Sequence, residues 1–234
     1  MKTNNNYNFN EEFYSIPLYI DSRVLTPRND TEILVNQVLK DINPLSSASP
    51  LLEGTKGDFT LIDVWTWSSC IPIAIVKNSN IWVSYALDIS SDALDVASIN
   101  IKKYSLEDKI KLKKSNLLEY FLNFNDKILT SNLIITANLP YIKNWDFDNM
   151  DKEVLMFEPH IALFWWEKTW FELYEKLINQ IFLLKEKLNI NITLFIEIWF
   201  DQYEYSKNYL EKIWLKFEYF KDYNNIYRVI KIYF

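Results

Sequence analysis

The alternation of short apolar runs with amphipathic helical patterns constrains the fold of this chain more than any other feature. Each run is rich in Ile, Leu and Val, as in parallel strands that are buried on both faces. The sequence predicts such strands at 59–64, 81–87, 110–112, 133–137 and 192–198. It predicts helices at 30–40, 71–76, 91–104, 167–188 and 202–212. Strands and helices that alternate in this way indicate an α/β domain with a largely parallel sheet.

The two ends of the chain carry shorter patterns. Residues 13–25 alternate weakly and predict a short β-hairpin or an extended arm, and Asp30 is the predicted N-cap of the helix that follows. Residues 215–220 and 226–234 predict a terminal antiparallel hairpin with its turn at Asn224-Asn225.

The segment from the first strand to the second predicts the nucleotide-binding half of a doubly wound fold. A strand, a tight turn, a helix and a second strand follow one another, and the second strand ends at Asp88. A carboxylate at that point can accept both hydroxyls of a ribose. The alternative is that Asp88 only caps the next helix.

Asn138 follows the buried run 133–137 directly and begins the tetrapeptide Asn138-Leu139-Pro140-Tyr141. A polar residue and a proline at the carboxyl end of a parallel strand lie where open α/β folds bind ligands. The amide carbonyl of Asn138 and the adjacent backbone carbonyls can accept the hydrogens of a flat NH2 group, as methylation of an amide or amino nitrogen requires. Two alternatives remain: Asn138 forms an Asx-turn, and Tyr141 is a packed aromatic residue.

Composition excludes several kinds of site. Cys70 is the only cysteine and His160 the only histidine, so neither an internal disulfide nor a thiolate or histidine-rich metal site is expected. The net charge is −6 and the lysines are scattered, which argues against a nucleic-acid partner. The chain has no apolar segment of membrane-spanning length and no signal-peptide core at its N-terminus. We therefore expect a cytoplasmic protein that binds neither a membrane nor nucleic acid directly.

The tetrapeptide resembles the Asn-Pro-Pro-Tyr signature of methyltransferases that act on planar nitrogens, with Leu139 in place of the first proline. Three flanking segments, 13–15, 24–32 and 158–164, are similar to those of the release-factor glutamine methyltransferases. The resemblance runs from about Phe13 to the C-terminus. It implies an α/β, seven-stranded S-adenosylmethionine-dependent methyltransferase (Rossmann-like) fold, with a mixed sheet and a C-terminal antiparallel hairpin.

The same resemblance implies a reaction and a set of site residues. The methyl group of S-adenosylmethionine would pass to the glutamine of the Gly-Gly-Gln motif of a peptide-chain release factor, without a metal. The implied catalytic residues are Asn138, Leu139, Pro140 and Tyr141. The implied cofactor-binding residues are Asp63, Trp65, Thr66, Trp67, Asp88, Asn116 and Asn138, where Asn116 replaces the acid of the family's Ser-Asp-Leu. The implied substrate-binding residues are Asn138, Pro140, Tyr141, Arg28 and Glu158, although Arg28 could equally anchor its turn to a carboxylate.

The resemblance also suggests a domain organisation. Residues 1–57 are expected to form an N-terminal arm, helix and loop, and 58–234 the catalytic domain of a monomer. Family members usually carry an additional N-terminal helical domain that helps to grip the release factor, and we expect it to be missing here. The alternative functions are a ribosomal-protein glutamine methyltransferase, an adenine-N6 methyltransferase and a non-catalytic binding protein with a filled pocket.

Glycine is almost absent. The chain has two glycines, where about 16 would be usual for this length, and it has nine tryptophans. Residues 63–70 resemble the family's Asp-x-Gly-Thr-Gly-Ser-Gly-Cys loop with Trp65 and Trp67 at the first two glycines. The other tryptophans at family glycine positions are Trp165, Trp166, Trp170, Trp199 and Trp214. Our hypothesis is that the organism reads the codon UGA as glycine and that translation with another code gave tryptophan. The alternative is a degenerate protein with genuine tryptophans.

Overall fold

The computed structural model describes residues 7–43, 59–81, 83–123, 131–140 and 171–234. A small hairpin of β1 (Glu11–Phe13) and β2 (Ile16–Leu18) begins the described chain. The other strands are β3 (Phe59–Val64), β4 (Val83–Asp88), β5 (Ile110–Lys114), β6 (Asn132–Ala137), β7 (Asn191–Glu197), β8 (Lys216–Lys221) and β9 (Tyr227–Tyr233). The helices are α1 (Asn29–Ile42), α2 (Cys70–Lys77), α3 (Ser91–Lys103), α4 (Glu119–Asn123), α5 (Glu172–Leu188) and α6 (Tyr203–Lys212).

Seven strands form one mixed sheet in the order β5-β4-β3-β6-β7-β9-β8. The first five in that order are parallel, and β9 is antiparallel to both of its neighbours, β7 and β8. The predicted α/β sheet and terminal antiparallel hairpin are therefore confirmed. The chain moves outward from β3 in one direction and from β6 in the other, so the carboxyl ends of these two strands lie at a topological switch point.

The central strands form because their side chains are apolar on both faces. Every residue of β3 is buried, as are the last five of β6 and the last four of β7. Burial of one Ile or Leu side chain contributes about 1.5–3 kcal/mol. Helix α1 packs against α2 and over β7 and β9, and α4 packs against α5. The hairpin of β1 and β2 joins the same hydrophobic core through Phe13 and Ile16.

Some predictions of local structure were wrong. Arg28, in an extended conformation, occupies the N-cap position of α1, so Asp30 lies inside the helix and does not cap it. Helix α4 and the 3-10 turn Phe200–Gln202 were not predicted. None of the helices in the described part of the chain is both long and apolar enough to cross a membrane. The same residues bring together no group of three or more His, Cys, Asp or Glu side chains that could hold a metal ion.

Candidate active site

Four polar side chains lie at the carboxyl ends of neighbouring parallel strands. Asp63 is near the end of β3 and Asp88 ends β4, while Asn138 follows β6 and Glu197 ends β7. All four are buried. The register places them at one edge of the sheet, because Val64 pairs with Leu87 and Ala137 pairs with both Val64 and Ile196. This edge has two halves, a turn that follows β3 and a polar cluster around Asn138.

The turn between β3 and α2 has a left-handed backbone at every second residue. Trp65, Trp67 and Ser69 have φ values of 65°, 51° and 62°. A residue with a Cβ in this conformation costs about 1–2 kcal/mol, whereas glycine adopts it freely. The Thr66 N–H donates to the Leu87 carbonyl at 2.9 Å, which ties the turn to β4. The backbone therefore follows a path that suits glycine at 65, 67 and 69.

The two indoles fill the space beside this turn. Trp65 is 3% exposed and Trp67 is 5% exposed, and their rings lie 5.9 Å apart. The Trp67 Nε1–H donates to the backbone carbonyl of Asn138 at 3.2 Å, so the ring reaches from the turn after β3 to the turn after β6. Indole atoms thus occupy the switch point, where a ligand of this fold would lie.

Asp88 accepts two backbone hydrogen bonds at the end of β4. Its Oδ2 accepts from the Trp67 N–H at 3.0 Å and its Oδ1 from the Ser90 N–H at 2.9 Å. Burial raises the pKa of Asp88 to about 6, and these N–H groups oppose the rise. The N-cap of α3 is Ser90, whose hydroxyl accepts from the Ala93 N–H. The helix-capping alternative for Asp88 is therefore wrong.

Asp63 and Asn116 flank Asp88 on the same edge. Burial raises the pKa of Asp63 to about 7, although hydrogen bonds from the Thr136 and Thr66 hydroxyls lower it. The Thr136 hydroxyl lies 2.6 Å from Asp63 Oδ1. The Asn116 Nδ2 donates to Glu119 at 2.9 Å, while its Oδ1 is buried with no hydrogen-bond partner among the described residues. The acceptor atom of Asn116 is thus available to a ligand.

The second half of the site is built around the Asn138 side chain, which is 6% exposed. Its Nδ2 donates to Glu197 Oε2 at 3.0 Å and to Thr31 Oγ1 at 3.3 Å. Its Oδ1 is buried and has no hydrogen-bond partner within the described ranges. The Asx-turn alternative does not hold, since the side chain bonds β7 and α1, and Pro140 has no N–H to donate.

A tyrosine joins this cluster to the backbone on either side of it. The Leu139 N–H donates to the Tyr174 hydroxyl at 3.2 Å, and that hydroxyl donates to the backbone carbonyl of Glu197. Tyr174 is fully buried in α5. The turn after β6 is therefore fastened to the end of β7 by both the Asn138 side chain and the Leu139 backbone.

Glu197 is a site residue that the sequence analysis missed. Burial raises its pKa to about 7, and the Thr31 hydroxyl and the charges of Arg28 and Arg228 lower it. The charge of Arg28 thus lowers the pKa of a buried carboxyl group, and its two interpretations, substrate binding and anchoring of the turn, both stay predictions. A glutamate that directly ends a buried apolar strand was the signal available in the sequence. Tyr141 and Glu158 lie outside the described residues, as do Trp165, Trp166 and Trp170.

The sheet order defines the class of fold, the seven-stranded Rossmann-like fold of S-adenosylmethionine-dependent methyltransferases. The N-terminal domain of human METTL16 in complex with SAH has this fold, with a TM-score of 0.63 and 17% identity over 94% of this chain and 76% of that one. No family model matches the chain.

Curated relatives narrow the class to a family. The chain is 35% identical to the release factor glutamine methyltransferase of Dictyoglomus turgidum over 229 residues, which are 95% of this chain and 72% of the relative. It is 33% identical to the release factor glutamine methyltransferase of Mycoplasma mycoides subsp. mycoides SC over 220 residues, 92% of this chain and 71% of the relative. The chain belongs to the release factor glutamine methyltransferase family.

Proposed function

We propose that this protein transfers a methyl group from S-adenosylmethionine to the side-chain nitrogen, N5, of the glutamine in the Gly-Gly-Gln motif of a peptide-chain release factor. The names of the curated relatives support the enzyme class and the substrate. The observation that carries the proposal is the buried Oδ1 of Asn138, an acceptor that is left open while the amide nitrogen beside it is held.

The chemistry requires the enzyme to activate a weak nucleophile. The lone pair of an amide nitrogen is delocalised into its carbonyl, so the nitrogen attacks poorly. Asn138 Oδ1 and the Leu139 backbone carbonyl accept the two amide hydrogens, which raises electron density on nitrogen and fixes its direction. Such positioning contributes about 7–11 kcal/mol. When bound, S-adenosylmethionine supplies the methyl group in activated form on its sulfonium.

Two acceptors at the edge of the sheet fit the nucleoside part of this cofactor. Asp88 lies at the end of β4, where its carboxylate can accept the ribose hydroxyls, and the open Oδ1 of Asn116 can accept from the adenine amino group. Asp63 and Thr66 border the same turn. The proposed Asp88 contact requires the carboxylate to accept a ribose hydroxyl in addition to its present backbone donors.

The tryptophans of the turn do not fit this cofactor. The buried indoles of Trp65 and Trp67 fill the place where the backbone would approach the ligand closely. Under our proposal both positions carry glycine in the native protein, and UGA codons account for the tryptophans. We therefore use the term glycine parent for the chain that carries both Trp65→Gly and Trp67→Gly.

Backbone geometry at a third tryptophan supports the same assignment independently of the site. Of the four tryptophans in the described ranges, Trp65, Trp67 and Trp214 have positive φ, and only Trp199 does not. Trp214, with φ 58°, follows the end of α6. The Leu215 N–H donates to the Leu210 carbonyl and the Trp214 N–H to the Glu211 carbonyl, which is the Schellman motif. Glycine is the usual residue at this position of the motif.

Methylation of a purified release factor by the glycine parent tests the proposed function. We expect tandem mass spectrometry to locate one added methyl group on the Gly-Gly-Gln glutamine. The same assay with a ribosomal protein and with an adenine-containing oligonucleotide distinguishes the two alternative substrates. Binding of S-adenosylmethionine without transfer to any of the three would contradict the proposal. Native peptides that contain tryptophan at 65 and 67 would instead favour a non-catalytic protein with a filled pocket.

A further inference from the structure

In the proposed reaction the Asn138 side-chain oxygen faces the substrate. The hydrogen-bond partners on the buried side of the amide determine this orientation. Nitrogen and oxygen have nearly the same shape, so an asparagine side chain can rotate by half a turn without a steric penalty. Its hydrogen-bond partners therefore set the orientation. On the buried side these partners are Glu197 Oε2 and Thr31 Oγ1, both within 3.3 Å of Nδ2.

Both partners accept from Asn138. An ionised carboxylate has no hydrogen to donate. The Thr31 hydroxyl bonds the Glu197 carboxylate, so its single proton is already used and its lone pairs face the amide. A rotated Asn138 would place Oδ1 against two acceptors in a buried environment, which is strongly unfavourable. The carboxylate therefore turns the amide nitrogen inward and the amide oxygen outward.

We propose that Glu197, together with Thr31, is the positioning residue that holds Asn138 with Oδ1 directed at the substrate amide. This inference rests on the proposed function and deepens it. Glu197 does not touch the substrate and acts only through the orientation of Asn138. The anchor is itself rigid, because Glu197 ends a buried strand and its backbone carbonyl accepts from Tyr174.

This orientation depends on the ionisation of Glu197. A protonated carboxyl group can donate to Asn138 Oδ1 and so stabilise the rotated, inactive amide. Asp30 raises the pKa of Glu197, whereas Arg28 on the same segment and Arg228 on β9 lower it. Cys70 at the start of α2 also faces Glu197 and remains a neutral thiol, since burial raises its pKa to about 12. Burial is the largest influence on Glu197, whose pKa is raised to about 7. The turnover number should therefore fall as the pH decreases through about 7.

An exchange of donor and acceptor tests the proposal in the glycine parent. Asn138→Asp alone places a second carboxyl group 3.0 Å from Glu197 Oε2. At a pH high enough to ionise both groups it should lower turnover about 100-fold or more, as misplacement of a reacting group does. Glu197→Gln alone releases the amide orientation, lowers turnover and reduces its dependence on pH near 7; Asp63, whose pKa is also raised to about 7, accounts for the dependence that remains. The double variant Asn138→Asp/Glu197→Gln restores one donor facing one acceptor and leaves a free oxygen toward the substrate. It should recover turnover about tenfold over Asn138→Asp.

Two controls separate positioning from a structural role. The dissociation constant of S-adenosylmethionine, measured by calorimetry, should be the same in Glu197→Gln as in the glycine parent, because Glu197 is not among the residues that are expected to bind the cofactor. If Glu197→Gln fails to fold, Thr31→Val and Thr31→Ser replace it, with loss of turnover expected only for valine. A double variant that is as slow as Asn138→Asp would overturn the proposal.

A measurement without turnover tests the contact itself. The carboxyl carbon resonance of Glu197 should titrate near pH 7 in the glycine parent and at a higher pH in Asn138→Leu, which has lost the amide donor. An unchanged midpoint would contradict the contact. A glycine parent that methylates no release factor overturns the proposed function, whereas an active parent whose turnover is unaffected by the exchange overturns only the role of Glu197.

Discussion

The two halves of the site differ in backbone conformation and in whether their side chains leave a group available to a ligand. In the turn after β3 the backbone is left-handed at Trp65 and Trp67, and the side chains at those positions fill the space that the turn would otherwise offer. Asn138 and Leu139 are not among the residues with positive φ, the Asn138 Nδ2 donates to Glu197 and Thr31, and the Asn138 Oδ1 has no partner among the described residues. The comparison shows that a backbone conformation suited to glycine can persist where the side chains do not suit a ligand, so the backbone and the side chains of a site have to be assessed separately.

The largest expected effect comes from substitutions in the first half of the site, the turn after β3, and it is a change in cofactor binding. In the chain with tryptophan at 65 and 67 we expect no measurable binding of S-adenosylmethionine, because the indoles fill the switch point. The glycine parent should bind it, with an affinity measurable by isothermal titration calorimetry. Trp214→Gly is the matched control, since it makes the same change far from the site, and it should leave binding absent. Binding of S-adenosylmethionine by the chain with tryptophan at 65 and 67 would show that the indoles do not block the turn after β3.

The second expected effect would change the other half alone. In the glycine parent, Asn138→Ala removes the open acceptor and should lower turnover about 100- to 1000-fold, the usual loss when one preorganised polar group is removed from an active site. The affinity for S-adenosylmethionine should be nearly unchanged. Kinetics with a release factor and calorimetry with the cofactor measure the two quantities separately. Loss of both together would mean that Asn138 belongs to the cofactor-binding half as well.

Much of the fold was predictable from the sequence because it depends on local composition. The run 59–64 is apolar throughout and forms β3 with those same bounds. The position of Asn138 at the carboxyl end of β6 was also predictable, since it directly follows the apolar run 133–137. Helix α4 has only five residues, too few to show a helical period. Glu197 was missed because its partners, Thr31 and Asn138, become its neighbours only when α1, β6 and β7 assemble.

The third expected effect concerns a property that the two halves share: each contains a buried carboxyl group. Asp63 and Glu197 have pKa values raised to about 7, above those of the unfolded chain, so the folded state binds more protons. Their stabilising contribution is complete below pH 4 and is lost as the pH rises through about 7. Each shift corresponds to about 3–4 kcal/mol. Urea denaturation should give a lower free energy of unfolding at pH 8 than at pH 5.5.

The isosteric variant Asp63→Asn removes one of these two contributions and is the test of its origin. The fall in stability between pH 5.5 and pH 8 should become smaller in this variant, because the amide does not ionise. A stability that rises over this range in the unmodified chain would show that the buried carboxyls are ionised without cost. The surroundings of both carboxyl groups would then be polar enough to stabilise their charge, and burial would not be the main influence on their pKa values.

The smallest expected effect concerns a left-handed tryptophan outside both halves. Trp214→Gly should raise the free energy of unfolding by about 0.5–1 kcal/mol, because it relieves a strain of about 1–2 kcal/mol and increases the entropy of the unfolded chain by somewhat less. Little packing is lost, since the Trp214 side chain is 93% exposed. Thermal and urea denaturation measure the change.

Trp199 provides the control for that prediction, because its backbone is extended, with φ −78° and ψ 156°. Trp199→Gly relieves no strain there and loses the stacking of the Arg228 guanidinium over the indole, 5.1 Å from the ring centre. It should therefore lower the free energy of unfolding while Trp214→Gly raises it. Opposite signs at the two positions would show that the left-handed backbone, and not the number of tryptophans, marks where this fold requires glycine. If both substitutions change the free energy of unfolding in the same direction, a left-handed backbone would not explain why glycine suits the turn after β3.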